Sequence, residues 1–343
     1  MIRSRIGSTL VAMAISSLVV STSVGAANAA PSATRHRTQV LTTGLQGSIG
    51  SALGPDGALY VTEAVAGRIA RVDPRTGRTT TYASGLPKKV LPGLGGAMDV
   101  AFLRGTAYVL VTLVSPDVGG NDIDGVYRVD GPHHVTVVAD IGAWSLAHPP
   151  ATPFFVPTGV QYALQPYRGG FLVTDGHHNR VLRVGLRGDV SEVIAFRNVV
   201  PTGLATRGRT VFVAQAGPVP HLPQDGKVLA LAIRNHSTRE VASGAPLLVD
   251  VEFGIHDQLY ALSQGRFTPG HEEGSPADPN TGALSRVETD GSMTPVASGL
   301  NQPTSLEIIG DTAYVVTLTG DIVMIHDIRH PRAGRPHHAP MNK

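Results

Sequence analysis

Residues 52–62, Ala52-Leu53-Gly54-Pro55-Asp56-Gly57-Ala58-Leu59-Tyr60-Val61-Thr62, place a short apolar run, a Gly-Pro-Asp-Gly turn and a second run in order. β-Branched and aromatic residues bounded by Gly, Pro and Asp read as two strands joined by a tight turn. The second run recurs as Ala107-Tyr108-Val109-Leu110, Phe171-Leu172-Val173-Thr174, Val211-Phe212-Val213-Ala214, Leu259-Tyr260-Ala261-Leu262 and Ala313-Tyr314-Val315-Val316. A third run, mostly Gly-x-aliphatic-x-x-aliphatic, follows each copy: residues 67–72, 125–129, 179–184, 226–231, 282–287 and 320–325. The apolar run ahead of each is introduced three times by Pro-Thr, at Pro157, Pro201 and Pro303. Tyr60 stands 48 residues before Tyr108, and Leu172 stands 40 before Phe212. That period belongs to a four-stranded propeller blade.

A fourth run appears at residues 77–85, 133–140, 188–196, 237–244 and 291–299, five copies for six blades. The sixth match, residues 36–44, stands ahead of the first blade. The N-terminal strand is therefore expected to pair with the last blade and close the ring, removing two open sheet edges. The expected fold is all-β, a six-bladed β-propeller over residues 36–326. A β-sandwich does not account for six matched quartets.

Composition agrees. The chain has 343 residues, 40 Gly and 25 Pro without collagen period, 16% charged residues and no cysteine. Its stability has to come from a core and not from disulfides. Residues 1–29 follow the order of a cleaved secretory signal: Arg3 and Arg5, an apolar stretch Leu10–Val20, then Ala27-Asn28-Ala29. The remainder carries 26 basic and 26 acidic side chains. Residues 30–35 read as a linker and 327–343 as a disordered basic tail. With no basic stripe in the folded part, a nucleic-acid partner is excluded. No stretch is apolar over the ~20 residues of a transmembrane helix. The expected location is extracellular.

Long connections fall on one face of the expected disc. They are residues 87–97 and 141–156 between blades, and 114–125, 216–226 and 264–282 within blades, whereas the other turns are tight. Insertions on one face of a repeat array mark a binding face. Its candidate ligand-binding residues are Trp144, His148, His177, His178, Asn179, His221 and His271. His177 and His178 are also the candidates for acid–base work, because an imidazole titrates near neutrality. The inner ends of the blades bring Ser48, Asp99, Thr158, Thr202, Asp250 and Thr304 toward the channel, with Asp99 and Asp250 as candidate metal ligands. Oxygen donors suit calcium, and Asn121-Asp122-Ile123-Asp124-Gly125 is similar to half a calcium loop. There is no G-x-S-x-G, H-E-x-x-H or phosphate-binding G-x-x-x-x-G-K-[ST] motif.

Taken together, residues 52–61, Asn179–Val184 (NRVLRV), Val200-Pro201-Thr202-Gly203 and Gly282–Val287 (GALSRV) resemble the ScyD/ScyE family of secreted propellers, whose relatives include NHL-like and streptogramin-lyase-like proteins. The family often has Ala-Asp-Ala-Gly-Gly-Asn where this chain has Val173-Thr174-Asp175-Gly176-His177-His178-Asn179. The resemblance implies fold and export. Two functions are expected from this reading. The first is a binding module whose insertion face takes a small molecule, a glycan or a protein. The second is a metal-dependent lactonase or lyase with its site at the channel mouth.

Overall fold

The computed structural model describes residues 37–218, 221–222, 225–268, 270 and 275–329. Six four-stranded antiparallel sheets succeed one another, five of them with their strands in chain order. Their inner strands are Ser48–Leu53, Gly96–Leu103, Gln161–Tyr167, Val200–Arg207, Leu248–Phe253 and Pro303–Ile309. Each inner strand lies against the next, and the sixth lies against the first. The chain is a six-bladed β-propeller. The sixth sheet takes its outer strand from the other end of the sequence: Thr38–Thr42 pairs antiparallel with Ile322–His326, with Thr38 opposite Ile325.

The alternation of a strand supplies the core. Neighbouring residues point to opposite faces of a sheet, so each blade must bury both faces. Tyr60 packs toward the second blade with Val100, Val109 and Tyr127, while Val61 packs toward the sixth with Tyr314, Val316 and Ile322. Every junction between blades has such a cluster. Each fully buried Val, Leu or Phe contributes ~1.5–3 kcal/mol.

Near the axis the junctions are also clasped by hydroxyls. Ser48 Oγ donates to the Thr317 carbonyl at 2.7 Å, Thr202 Oγ1 to Leu248 at 2.8 Å and Thr304 Oγ1 to Ile49 at 2.7 Å. Thr158 Oγ1 donates to Asp117 Oδ2 at 2.9 Å. The polar ring expected to converge on a channel ligand thus faces neighbouring chain segments instead, because a buried hydroxyl needs a partner and the adjacent blade is the nearest one.

Two features depart from the sequence reading. The 141–156 connection contains an α-helix, Ile141–Ala147, whose first turn is capped by Asp140 accepting the Ala143 N–H at 2.7 Å. The packed chain also runs past residue 326. Ile328 is 1% exposed in the core between the fifth and sixth blades, and the Arg329 N–H donates to Asp311 Oδ1 at 3.0 Å. The signal segment, the linker and residues 330–343 lie outside the described residues. No described helix is long and apolar enough to cross a membrane.

Candidate functional site

The third blade carries the densest chemistry on the insertion-rich face. Asp175 ends its second strand, Gly170–Asp175, and Arg180 opens its third, Arg180–Gly185. The first blade has the same spacing in Glu63 and Arg68, which pair at 2.5 Å. Asp175 and Arg180 are 0% and 1% exposed, with Arg180 Nε 3.3 Å from Asp175 Oδ2. Burial pushes the Asp175 carboxyl up, but His178, the Arg180 charge and the Val160 N–H outweigh it and hold it below the usual range.

Arg180 then ties the helix insertion to the blade. Its Nη1 donates to the His148 carbonyl at 2.8 Å and its Nη2 to Ser145 Oγ at 3.0 Å. Nη2 also lies 2.8 Å from His178 Nδ1, which is 3.1 Å from Asp175 Oδ2. Nδ1 thus lies between a guanidinium that donates and a carboxylate that accepts, while Nε2 faces the Val156 carbonyl at 3.1 Å. Both nitrogens are engaged and the residue is 1% exposed. His178 is a strut that cannot reach a ligand, contrary to the acid–base role expected of it.

His177 differs. It is half-buried, its Nδ1 is enclosed without a hydrogen-bond partner, and burial pulls it down to about 4. It is a neutral imidazole at pH 7 under the Phe155 ring, whose centre is 4.4 Å away. Asn179 takes a left-handed backbone, φ 53°, at the position where the first blade has Gly67 at φ 64°. Its amide faces the Val199 and Gly176 carbonyls at 3.0 and 3.1 Å. It shapes the turn.

Trp144 and His148 stack 4.4 Å apart at 12°, and the Arg180 guanidinium lies 4.8 Å from the indole centre. Beside this column the insertion exposes Phe155 by 67%, Leu146 by 58% and Phe154 by 37%. Phe154 meets His178 edge-on at 5.0 Å. The result is an exposed aromatic ledge on a support fixed by a buried ion pair. His221 is half-buried in the fourth blade's connection, in a different loop, and His271 lies outside the described residues.

On the axis, Tyr162, Ile49 and Met98 close the channel toward the insertion face. Beyond them a cavity of about 240 Å³ opens toward the tight turns, where Leu53, Phe102 and Pro166 end their strands. Asp99 and Asp250, on opposite blades, both line it. Asp99 accepts the Val100 and Leu164 N–H groups at 2.8 and 2.7 Å; Asp250 accepts those of Val251 and Leu306, both at 2.8 Å. All four oxygens thus face backbone amides. Among the described residues no three His, Asp or Glu side chains converge as a metal's ligands would. Asp124 is equally committed, accepting from the Val114 N–H and the Ser115 hydroxyl. These residues do not fit calcium, and the metal role expected of Asp99 and Asp250 gives way to a role between blades.

Sequence reading missed Arg180, Phe154, Phe155, Glu252 and Glu307. The five-residue acid-to-Arg spacing shared by the first and third blades signalled Arg180. Glu252, two residues after Asp250, shares its side of the strand. Nothing local marked the two phenylalanines as exposed.

No family model matches the chain, and no curated protein matches it. Solved structures of similar shape align with it at low identity. A gluconolactonase from Xanthomonas campestris aligns with TM-score 0.58 and 12% identity, over 85% of this chain and 90% of its own. A PQQ-bound aldose sugar dehydrogenase from Streptomyces coelicolor aligns with TM-score 0.56 and 14% identity, over 85% and 98%. Virginiamycin B lyase from Staphylococcus aureus aligns with TM-score 0.52 and 14% identity, over 85% and 99%. At these identities the likenesses show the β-propeller fold alone.

Proposed function

We propose that this protein is a secreted binding propeller of the ScyD/ScyE type, which captures a neutral, ring-bearing small molecule on the aromatic ledge of the third blade. The observation that carries this is Phe155, 67% exposed against a neutral His177 on an insertion anchored by a buried Asp175–Arg180 pair. Exposed rings on a rigid support mark a recognition surface, because they supply contact area at little cost in side-chain order. Its exposed side chains Phe155, Leu146 and Phe154 are apolar, so an uncharged ligand loses least on desolvation against them. The metal-dependent lactonase or lyase reading has the fold likeness in its favour and, among the described residues, no three His, Asp or Glu side chains grouped to hold the metal.

Trp144 is the only tryptophan in the chain and lies within the ledge. Its emission is titrated with a panel of neutral aromatic and cyclic compounds, alongside oligosaccharides. Saturable change with the ring compounds, lost in Phe155→Ala at an unchanged unfolding midpoint, supports the reading. Binding that survives Phe155→Ala, or a response to oligosaccharides alone, overturns it.

A further inference from the structure

The path of the chain after its last strand leads to the axis. Past His326 it does not run outward along the sixth blade, where Thr38–Thr42 already holds the edge. It turns inward to the tight turn between the first two strands of that blade. The Ile328 N–H donates to the Asp311 carbonyl at 3.2 Å and the Arg329 N–H to Asp311 Oδ1 at 3.0 Å, with Arg329 Nε 3.1 Å from the same oxygen. Arg286 of the fifth blade donates to the Arg329 carbonyl at 3.4 Å. Residues 330–343, which follow, therefore leave from the inner part of the tight-turn face, between the fifth and sixth blades. They hold Arg332, Arg335 and Lys343, three histidines and no acid.

The cavity of about 240 Å³ opens on that same face, and its wall is acidic: Asp99 from the second blade, Asp250 and Glu252 from the fifth, and Glu307 from the sixth. Among the described residues no Lys, Arg or His lines it. Asp99 and Asp250 sit deeper, each closed off by two backbone amides. Glu252 and Glu307 stand two residues further along their strands than Asp250 and Ser305, nearer the mouth. Acids on the adjoining turns are already paired: Asp311 with Arg329, Glu288 with Arg286 and Asp257 with Arg207. Glu307 is four residues before Asp311, roughly 13 Å along the strand. Three and six residues of extended chain beyond Arg329 span about 10 and 20 Å, which brings Arg332 and Arg335 within reach of the mouth.

We propose that residues 330–343 fold back over the tight-turn face and set Arg332 or Arg335 in the axial cavity as the counter-charge of Glu252 and Glu307. Two acidic walls and a basic segment tethered at their rim meet at high effective concentration, so a modest attraction suffices to hold the segment there. Where no cation faces them, burial drives all four carboxyls up, Asp99 and Glu252 to about 7 and Asp250 and Glu307 well above the carboxylate range. A carboxyl so raised stabilises the fold fully only below its unfolded value, near 4, and less as pH rises through the folded one. Asp99 and Asp250 keep their amides; Glu252 and Glu307 are the pair a guanidinium would answer.

The test is carbodiimide coupling of the full chain carrying Arg332→Lys/Arg335→Lys, which joins an amine to a carboxyl in contact with it, read by peptide mass spectrometry. Amide links from position 332 or 335 to Glu252 or Glu307 are expected, weakened in high salt. In the otherwise unaltered chain, trypsin should cut after Arg332 several-fold faster once Glu252→Gln/Glu307→Gln frees the segment, because cleavage follows the population of the open form. Links confined to carboxyls outside the cavity overturn the proposal. So do links found only in covalent dimers, which give the cavity to a second copy, and no links at all, which leave it to a separate cation. An unchanged cutting rate in the folded double variant also overturns it; should that variant not fold, the coupling result decides alone.

Discussion

The Tyr162 hydroxyl donates to the Thr304 carbonyl at 3.0 Å, joining the inner strands of the third and sixth blades across the axis. The ring thus has a crossbar, with Ile49 and Met98 packed around it, between the insertion face and the acid-lined cavity.

Replacing Tyr162 by Phe keeps the plug and deletes the crossbar. The expected loss is about 1 kcal/mol, the usual net worth of one buried hydrogen bond. Tyr162→Ala also opens the channel and should cost several times more, about 3–5 kcal/mol. Urea unfolding of both variants checks this, and equal losses would show that the hydroxyl, not the ring, holds the axis.

Arg180→Met removes the cation from a buried pair and strands Asp175, so a loss of about 3–5 kcal/mol is expected. The same change frees the helix insertion, since Arg180 holds Ser145 and the His148 carbonyl. Trp144 emission should therefore shift in the folded variant, because its guanidinium neighbour at 4.8 Å is gone. An unaltered spectrum together with unaltered stability would contradict the anchoring role.

Gly50→Ala and Gly203→Ala should each destabilise by about 1–3 kcal/mol through overpacking. The added Cβ at Gly203 would meet Asp250 Cα and Oδ1 at 2.5 Å and the Val249 carbonyl at 2.8 Å. Surface glycines such as Gly57 and Gly105 have nothing within 4 Å, and thermal unfolding of Gly57→Asn supplies the control. A Gly203→Ala midpoint equal to the unaltered one would mean that the inner strands can spread.

His177 and the axial carboxyls pull in opposite directions with pH. Burial lowers His177 to about 4, so its contribution is present above the unfolded value near 6.5 and is lost as pH falls toward 4. The carboxyls gain over the same interval. His177→Phe removes the opposing contribution, so its stability relative to the unaltered protein should improve between pH 6.5 and 4.5. Denaturant midpoints at these two pH values check the sign, and a relative decrease would place a charged imidazole in the folded state.

The sequence by itself determined the architecture. Six quartets spaced 40–64 residues apart, with the displaced run at residues 36–44, specify how many blades there are and which strand completes the sixth, since strand pattern and turn residues are local properties. The insertion-rich face was equally legible from loop lengths. What each polar side chain does was decided only in three dimensions. Asp99 and Asp250 look like metal ligands until one oxygen of each is seen against an amide of the next blade and the other against its own strand, and His177 and His178, adjacent in sequence, separate into a half-buried ring and an enclosed strut. The exposure of Phe155 depends on how residues 141–156 fold back over the third blade. Hydrogen-bond partners and burial come from segments distant in the chain, such as Asp99 with Leu164 or Tyr162 with Thr304, and no local pattern encodes them.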